Sequence, residues 1–111
     1  MLPKAHRLVT VDFGIVMEKG RVAHSSLFVM RYLDSREGSR FSAVVPQKVG
    51  KKAVIRSAMR RKMYDAMQKL GVMHIKGVHG IVFAKSQALT AEDGAFNDDM
   101  KGLFVKAGLL R

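Results

Sequence analysis

The chain has 111 residues, 48% of them hydrophobic, so it can bury one modest core and is too apolar for a disordered tail. Twenty Lys and Arg against nine Asp and Glu give a formal charge of +11, the electrostatic footprint of a chain that meets a polyanion. The absence of cysteine excludes disulfides, thiolate zinc sites and a Cys nucleophile, and suits a reducing compartment.

Residues 1–9 hold Pro3, Lys4, His6 and Arg7 ahead of Leu8 and Val9 and read as an extended lead-in. They lack the apolar centre of a secretory signal, and no run in the chain approaches the length of a membrane span. A soluble, cytoplasmic protein with no membrane association is therefore expected. Thr10 reads as a helix N-cap with Asp12 in the first turn, followed by Phe13, Val16 and Met17 on one apolar face and Gly20 as a stop. This predicts a first helix over about 11–19. Ser25 to Leu33 reads as a strand, Asp34 to Ser39 as a turn, and Arg40 to Val45 as a second strand stopped by Pro46. The two strands are expected to pair as a hairpin, with Phe28 and Phe41 on a common sheet.

The clearest helix runs from Lys52 to Leu70, with Ile55, Met59, Met63, Ala66, Met67 and Leu70 as its apolar stripe and Gly71 at its end. Ile81-Val82-Phe83-Ala84 has the pattern of a buried strand. Thr90 is expected to cap a last helix with Glu92 and Asp93 in its first turn and Phe96, Met100, Leu103 and Phe104 facing the core. The order α-β-β-α-β-α, without repeat or linker, predicts a single α+β domain over 1–111, a small sheet carrying helices on one side.

Lys48 to Lys62 contains seven basic residues, Lys48, Lys51, Lys52, Arg56, Arg60, Arg61 and Lys62, and no acidic one. A merely solvated helix face mixes signs, because i,i+4 pairs of opposite charge are favourable and like charges are not. The segment therefore reads as a polyanion site. Lys52, Arg56, Arg60 and Tyr64 step by four along one edge of the apolar stripe, and Arg61 falls on the far side of the helix. Phe13, Phe28, Tyr32 and Phe41 are candidate platforms for stacking single-stranded bases, although each also suits a core. Catalytic signatures are absent: there is no His-Glu-x-x-His, no Walker-type glycine loop and no His beside Ser57. His74 and His79 have neither Cys nor a carboxylate cluster nearby, so no metal site is predicted, and Asp98-Asp99 reads as dipole-favourable rather than as an acid/base pair.

The segment from Arg40 to Met63 resembles the core of the bacterial ribonuclease P protein family. In that family a strand runs into a Lys, Gly, Ala-Val stretch and an Arg-Asn-Arg motif, then an aliphatic residue, a basic residue and Arg. The opening Leu2-Pro3-Lys4, with Arg7-Leu8, Asp12-Phe13, Gly80 to Lys85, and Lys106 to Leu110 are similar too, so the resemblance spans nearly the whole chain. It implies the family fold, in which the βαβ crossover is left-handed, an exception to the usual rule. It also implies an endoribonuclease whose chemistry is carried by a partner RNA with Mg²⁺ bound mainly by that RNA, no metal or cofactor intrinsic to the protein, and no protein partner required.

By the same resemblance Lys51, Lys52, Arg56, Ser57, Arg60 and Arg61 are expected to contact the ribonuclease P RNA, with Lys62 added on charge alone. Phe13, Met17, Val29, Arg31, Phe41 and Lys48 are expected to line a cleft for the single-stranded 5′ leader of precursor tRNA. Four positions depart from the family. Its Arg-Asn-Arg is Arg56-Ser57-Ala58, Met17 stands where many relatives have a second aromatic, and Tyr64 occupies a position that is usually basic. The competing readings are a structural, ribosomal-protein-like RNA binder without a role in cleavage, and a protein-only nuclease, for which the nine acids form no cluster.

Overall fold

The structure is a computed structural model that describes residues 10–36 and 38–110, so the expected lead-in over 1–9 lies outside the described residues. Helix α1 (Thr10–Lys19) precedes three strands, β1 (Arg21–His24), β2 (Phe28–Asp34) and β3 (Arg40–Val44). Helix α2 (Ala53–Lys69), strand β4 (Val78–Ala84) and helix α3 (Asp93–Lys106) complete the chain, with short 3₁₀ turns at Val72–His74 and Ser86–Leu89. The α+β class holds, and one strand is added: β1 has only four residues and no run of large apolar side chains to announce it. Thr10 begins α1, and its side chain lies outside the described residues.

The strand order is β1-β2-β4-β3, which corrects the expected hairpin. The antiparallel hairpin is β1 with β2, where Val22 faces Arg31 and Ala23 faces Met30. Strand β4 lies between β2 and β3, antiparallel to the first and parallel to the second, with Tyr32 and Phe41 on either side of Gly80. A parallel pair needs a crossover, and α2 supplies it between β3 and β4. Gly80 leaves the room that this arrangement requires: a Cβ there would lie 2.8 Å from the Phe41 ring.

Alternation along the strands divides the sheet into two faces. Phe28, Met30, Tyr32, Phe41, Ala43, Val78, Val82 and Ala84 point to the inner face and form one cluster with the buried sides of α2 and α3. Phe28 meets Phe96 edge-to-face at 5.0 Å between centroids, and Phe41 meets Phe104 at 5.5 Å. Phe96, Met100, Leu103 and Phe104 are fully buried, as their spacing predicted. The expected Thr90 cap is absent from that helix: Thr90 ends the preceding 3₁₀ turn and Glu92 occupies the N-cap. Asp99 is turned outward from α3 to the β1–β2 turn, where its carboxylate accepts from the Ser25 hydroxyl (2.6 Å) and the Leu27 N–H (2.9 Å).

The buried stripe of α2 is Met59, Met63, Tyr64, Ala66 and Met67, with Leu70 partly buried, whereas Ile55 is 40% exposed because the first turn of α2 overhangs the core. Tyr64 therefore does not project beside the cations as its spacing suggested. Its side chain is buried and its hydroxyl accepts the Ala43 N–H at 3.0 Å, satisfying a backbone group of edge strand β3 that β4 cannot reach. Replacing Tyr64 by Phe leaves that buried N–H without its acceptor, and we expect unfolding in urea to show a loss of about 1–3 kcal/mol with the slope unchanged. An unaltered midpoint would show that water replaces the hydroxyl.

Candidate nucleic-acid interface

The basic segment begins in a tight turn after β3, where the Val49 and Gly50 N–H groups both donate to the Pro46 carbonyl at 2.9 and 3.1 Å. Arg56 reaches back from the helix and donates through Nη1 to the Gly50 and Lys51 carbonyls at 2.8 and 3.0 Å. One guanidinium nitrogen thus closes the loop onto α2, and the donors on the other nitrogens stay available. Lys52 occupies the N-cap with no side-chain hydrogen bond to the helix, and the first turn of α2 contains no acidic residue. Its free N–H groups and the positive end of the helix dipole therefore add to the exposed Lys48, Lys51 and Lys52.

One turn further on, the Ser57 hydroxyl accepts from Arg60 Nη2 at 3.1 Å, and its carbonyl accepts from Arg61 Nε at a long 3.5 Å. Ser57, at the place where the resemblance puts Asn, acts here as an organiser of two guanidinium groups. Arg61 is exposed and Arg60 half-buried. Lys62 departs from the expectation. Its ammonium pairs with Asp93 at 3.0 Å and sits 4.4 Å from the Phe96 ring centroid, so it ties α2 to α3.

The outer face of the sheet is only partly covered. Helix α1 packs on β2 and β4, burying Val16 there together with Ile81. Beyond α1, Val29, Phe83 and Val44 stand side by side across β2, β4 and β3 and remain half-buried. With Pro46, Val49, Lys48 and Lys85, Val29 and Phe83 line a pocket of about 460 Å³. The pocket has an apolar floor and two cations at its margin, a form that suits a base above and its phosphate beside it. Lys85 is held in place by donating to the Ser25 carbonyl at 2.6 Å.

The structure brings together only some of the residues expected in the cleft. Val29 and Lys48 line the same pocket. Arg31 donates to the Met17 carbonyl at 2.8 Å, fastening the end of α1 to β2. Phe13 is half-buried on α1, and Met17 is 37% exposed. Phe41 is corrected outright: it lies on the inner face, fully buried, where no base can reach it. Phe28 and Tyr32 share that face. Phe83 was passed over because Ile81 to Ala84 is apolar throughout, and a continuous apolar run hides which side chains face which way. Among the described residues no group of three His, Asp or Glu side chains could hold a metal ion, and His79 instead meets the Ser35 hydroxyl at 3.1 Å.

A family model described as Ribonuclease P matches residues 2–108. Ribonuclease P protein components from Microcystis aeruginosa and Synechocystis are each 30% identical, over 98% of this chain and 96% and 90% of their own. Among solved structures, an RNase P protein of Staphylococcus aureus superposes with a TM-score of 0.83 at 22% identity, covering 97% of this chain and 100% of that one. One from Thermotoga maritima gives 0.76 at 22% identity, over 87% and 93% of the two chains. The structural likenesses speak to the fold, and the sequence matches speak to descent. By the family model and the sequence matches, the chain belongs to the ribonuclease P protein family, the protein components of a ribonuclease of tRNA processing.

Proposed function

We propose that the chain is the non-catalytic subunit of a cytoplasmic ribonucleoprotein, binding a catalytic ribonuclease P RNA through α2 and the single-stranded 5′ leader of precursor tRNA on the outer face of the sheet. The observation that carries this reading is the acid-free, uncapped first turn of α2 beside a pocket floored by Val29 and Phe83 and edged by Lys48 and Lys85. Two RNAs approaching one another repel through their phosphates. A protein that places Lys51, Lys52, Arg56, Arg60 and Arg61 against one and Lys48 and Lys85 against the other lowers that repulsion. Hydrolysis of the phosphodiester is assigned to the RNA with Mg²⁺ held mainly by the RNA, and the residues of this chain bind and orient.

The deciding measurement is cleavage of a 5′-leader precursor tRNA by the ribonuclease P RNA of Synechocystis at low Mg²⁺, with and without this protein. Faster cleavage with correct 5′ ends supports the subunit reading, whereas tight binding without acceleration would favour a structural RNA binder.

Two substitutions probe the parts separately. Replacing Arg60 and Arg61 together by Ala should weaken RNA binding and flatten its logarithmic salt dependence by about one unit per lost phosphate contact, read by filter binding across a salt series. An unchanged slope would remove both arginines from the interface. Replacing Phe83 by Ala should weaken binding of precursors with a leader by about 1–3 kcal/mol while sparing leaderless tRNA. Equal losses on both substrates would mark Phe83 as packing alone.

A further inference from the structure

The turn between β1 and β2, Ser25 to Leu27, is gripped from two sides by elements far away in sequence. From α3, the Asp99 carboxylate accepts from the Ser25 hydroxyl at 2.6 Å and from the Leu27 N–H at 2.9 Å. Seven residues on, and so on the same face of that helix, Lys106 donates through Nζ to the His24 carbonyl at 3.1 Å. The Ser25 hydroxyl oxygen in turn accepts the Phe28 N–H at 3.2 Å, and the Ser25 N–H donates to the Phe28 carbonyl at 2.9 Å. The turn is thus closed on itself as well as anchored to α3.

Its other side holds Lys85. The Lys85 N–H donates to the Leu27 carbonyl at 2.8 Å, and its ammonium donates to the Ser25 carbonyl at 2.6 Å. Both carbonyls belong to the residues that Asp99 engages. A lysine stem carries much rotamer freedom, which is lost on meeting a phosphate unless the ammonium is already held. An ammonium has three N–H donors, and the Ser25 carbonyl takes one. Lys85 lines the pocket that Val29 and Phe83 floor. A continuous chain of hydrogen bonds therefore runs from an acid of α3 to a cation of the pocket.

We infer that Asp99 is a positioning residue for the leader: by fixing Ser25 and Leu27, it presets the Lys85 ammonium for a leader phosphate. The inference rests on the reading of this pocket as the leader site, and it gives an acid a favourable part in binding RNA. Two effects of opposite sign make it decidable. Through its charge alone, a carboxylate lowers affinity for a polyanion, so its removal strengthens binding. Through Lys85, its removal weakens binding, and only where a leader is present.

The test uses the holoenzyme assembled from this chain and the Synechocystis ribonuclease P RNA. It reads the leader preference, the affinity for a precursor tRNA with a 5′ leader divided by that for leaderless tRNA. Asp99→Ala should lower this preference about threefold to tenfold. Asp99→Asn, which keeps an acceptor oxygen, should recover part of it. Asp98→Ala makes the same change of charge at an exposed neighbour and should not lower it. With Lys85→Met the preference should already be reduced, and adding Asp99→Ala should reduce it no further, since both act through one contact. Equal losses on leader-bearing and leaderless RNA, or a further loss on top of Lys85→Met, would make Asp99 a structural brace alone and overturn the inference. A preference lowered by Lys85→Met and untouched by Asp99→Ala overturns it too, and leaves the pocket reading intact. A preference untouched by Lys85→Met overturns it together with the place of Lys85 in the leader site. Where Asp99→Ala does not fold, Ser25→Ala removes the hydroxyl that Asp99 holds and is judged by the same cycle.

Discussion

Strand β4 lies between two strands that precede it in sequence, and it can do so because Gly80 has no side chain. A Cβ there would come within 2.8 Å of the Phe41 ring. That close approach lets β3 take its parallel place beside β4, and the parallel pair then obliges the chain to cross over through α2. The helix with the cations is consequently laid along the length of the sheet, with its first turn at the Lys48 end and its last beside the turn that enters β4. A larger residue at Gly80 would displace Phe41, which packs on Phe104 of α3, so the same contact also holds the third helix.

The excess of positive charge is divided between two kinds of work. Several cations serve as struts: Arg31 on the end of α1, Lys62 on Asp93 and Phe96, and Lys85 and Lys106 on the Ser25 and His24 carbonyls of the β1–β2 turn. Each of these satisfies a carbonyl or carboxylate of the fold. At the start of α2, by contrast, Lys48, Lys51 and Lys52 stand exposed, and Arg56 keeps donors beyond the two carbonyls that it holds. Net charge alone conceals this division, which is why the Lys62 expectation, made from charge, ended in a bridge between helices.

Periodicity made the helices legible. The spacing of Phe96, Met100, Leu103 and Phe104 and of Met59, Met63 and Met67 named the buried faces correctly, since one side of a helix is fixed by sequence distance alone. Strand neighbours were less accessible. A turn composition between Leu33 and Arg40 suggests a hairpin, and nothing local announces that a strand from forty residues later will separate the two. The aromatics suffered most from this. Phe41 and Phe83 differ in face because of register, which depends on non-local pairing, so spacing alone does not show that the first is buried and the second borders the pocket. Tyr64 shows the same limit on a helix: its spacing matched the cations, but the unpaired Ala43 N–H drew it inward.

The bare first turn of α2 has a consequence for the lifetime of the free protein. Helix starts are normally steadied by a capping side chain or an acidic neighbour, and this one has lysines instead, so its opening residues are held less firmly than the rest of the helix. A polyanion that binds only the folded chain supplies the missing negative charge and shifts the folding equilibrium by mass action. Bound copies are therefore expected to resist proteolysis at this turn better than free ones.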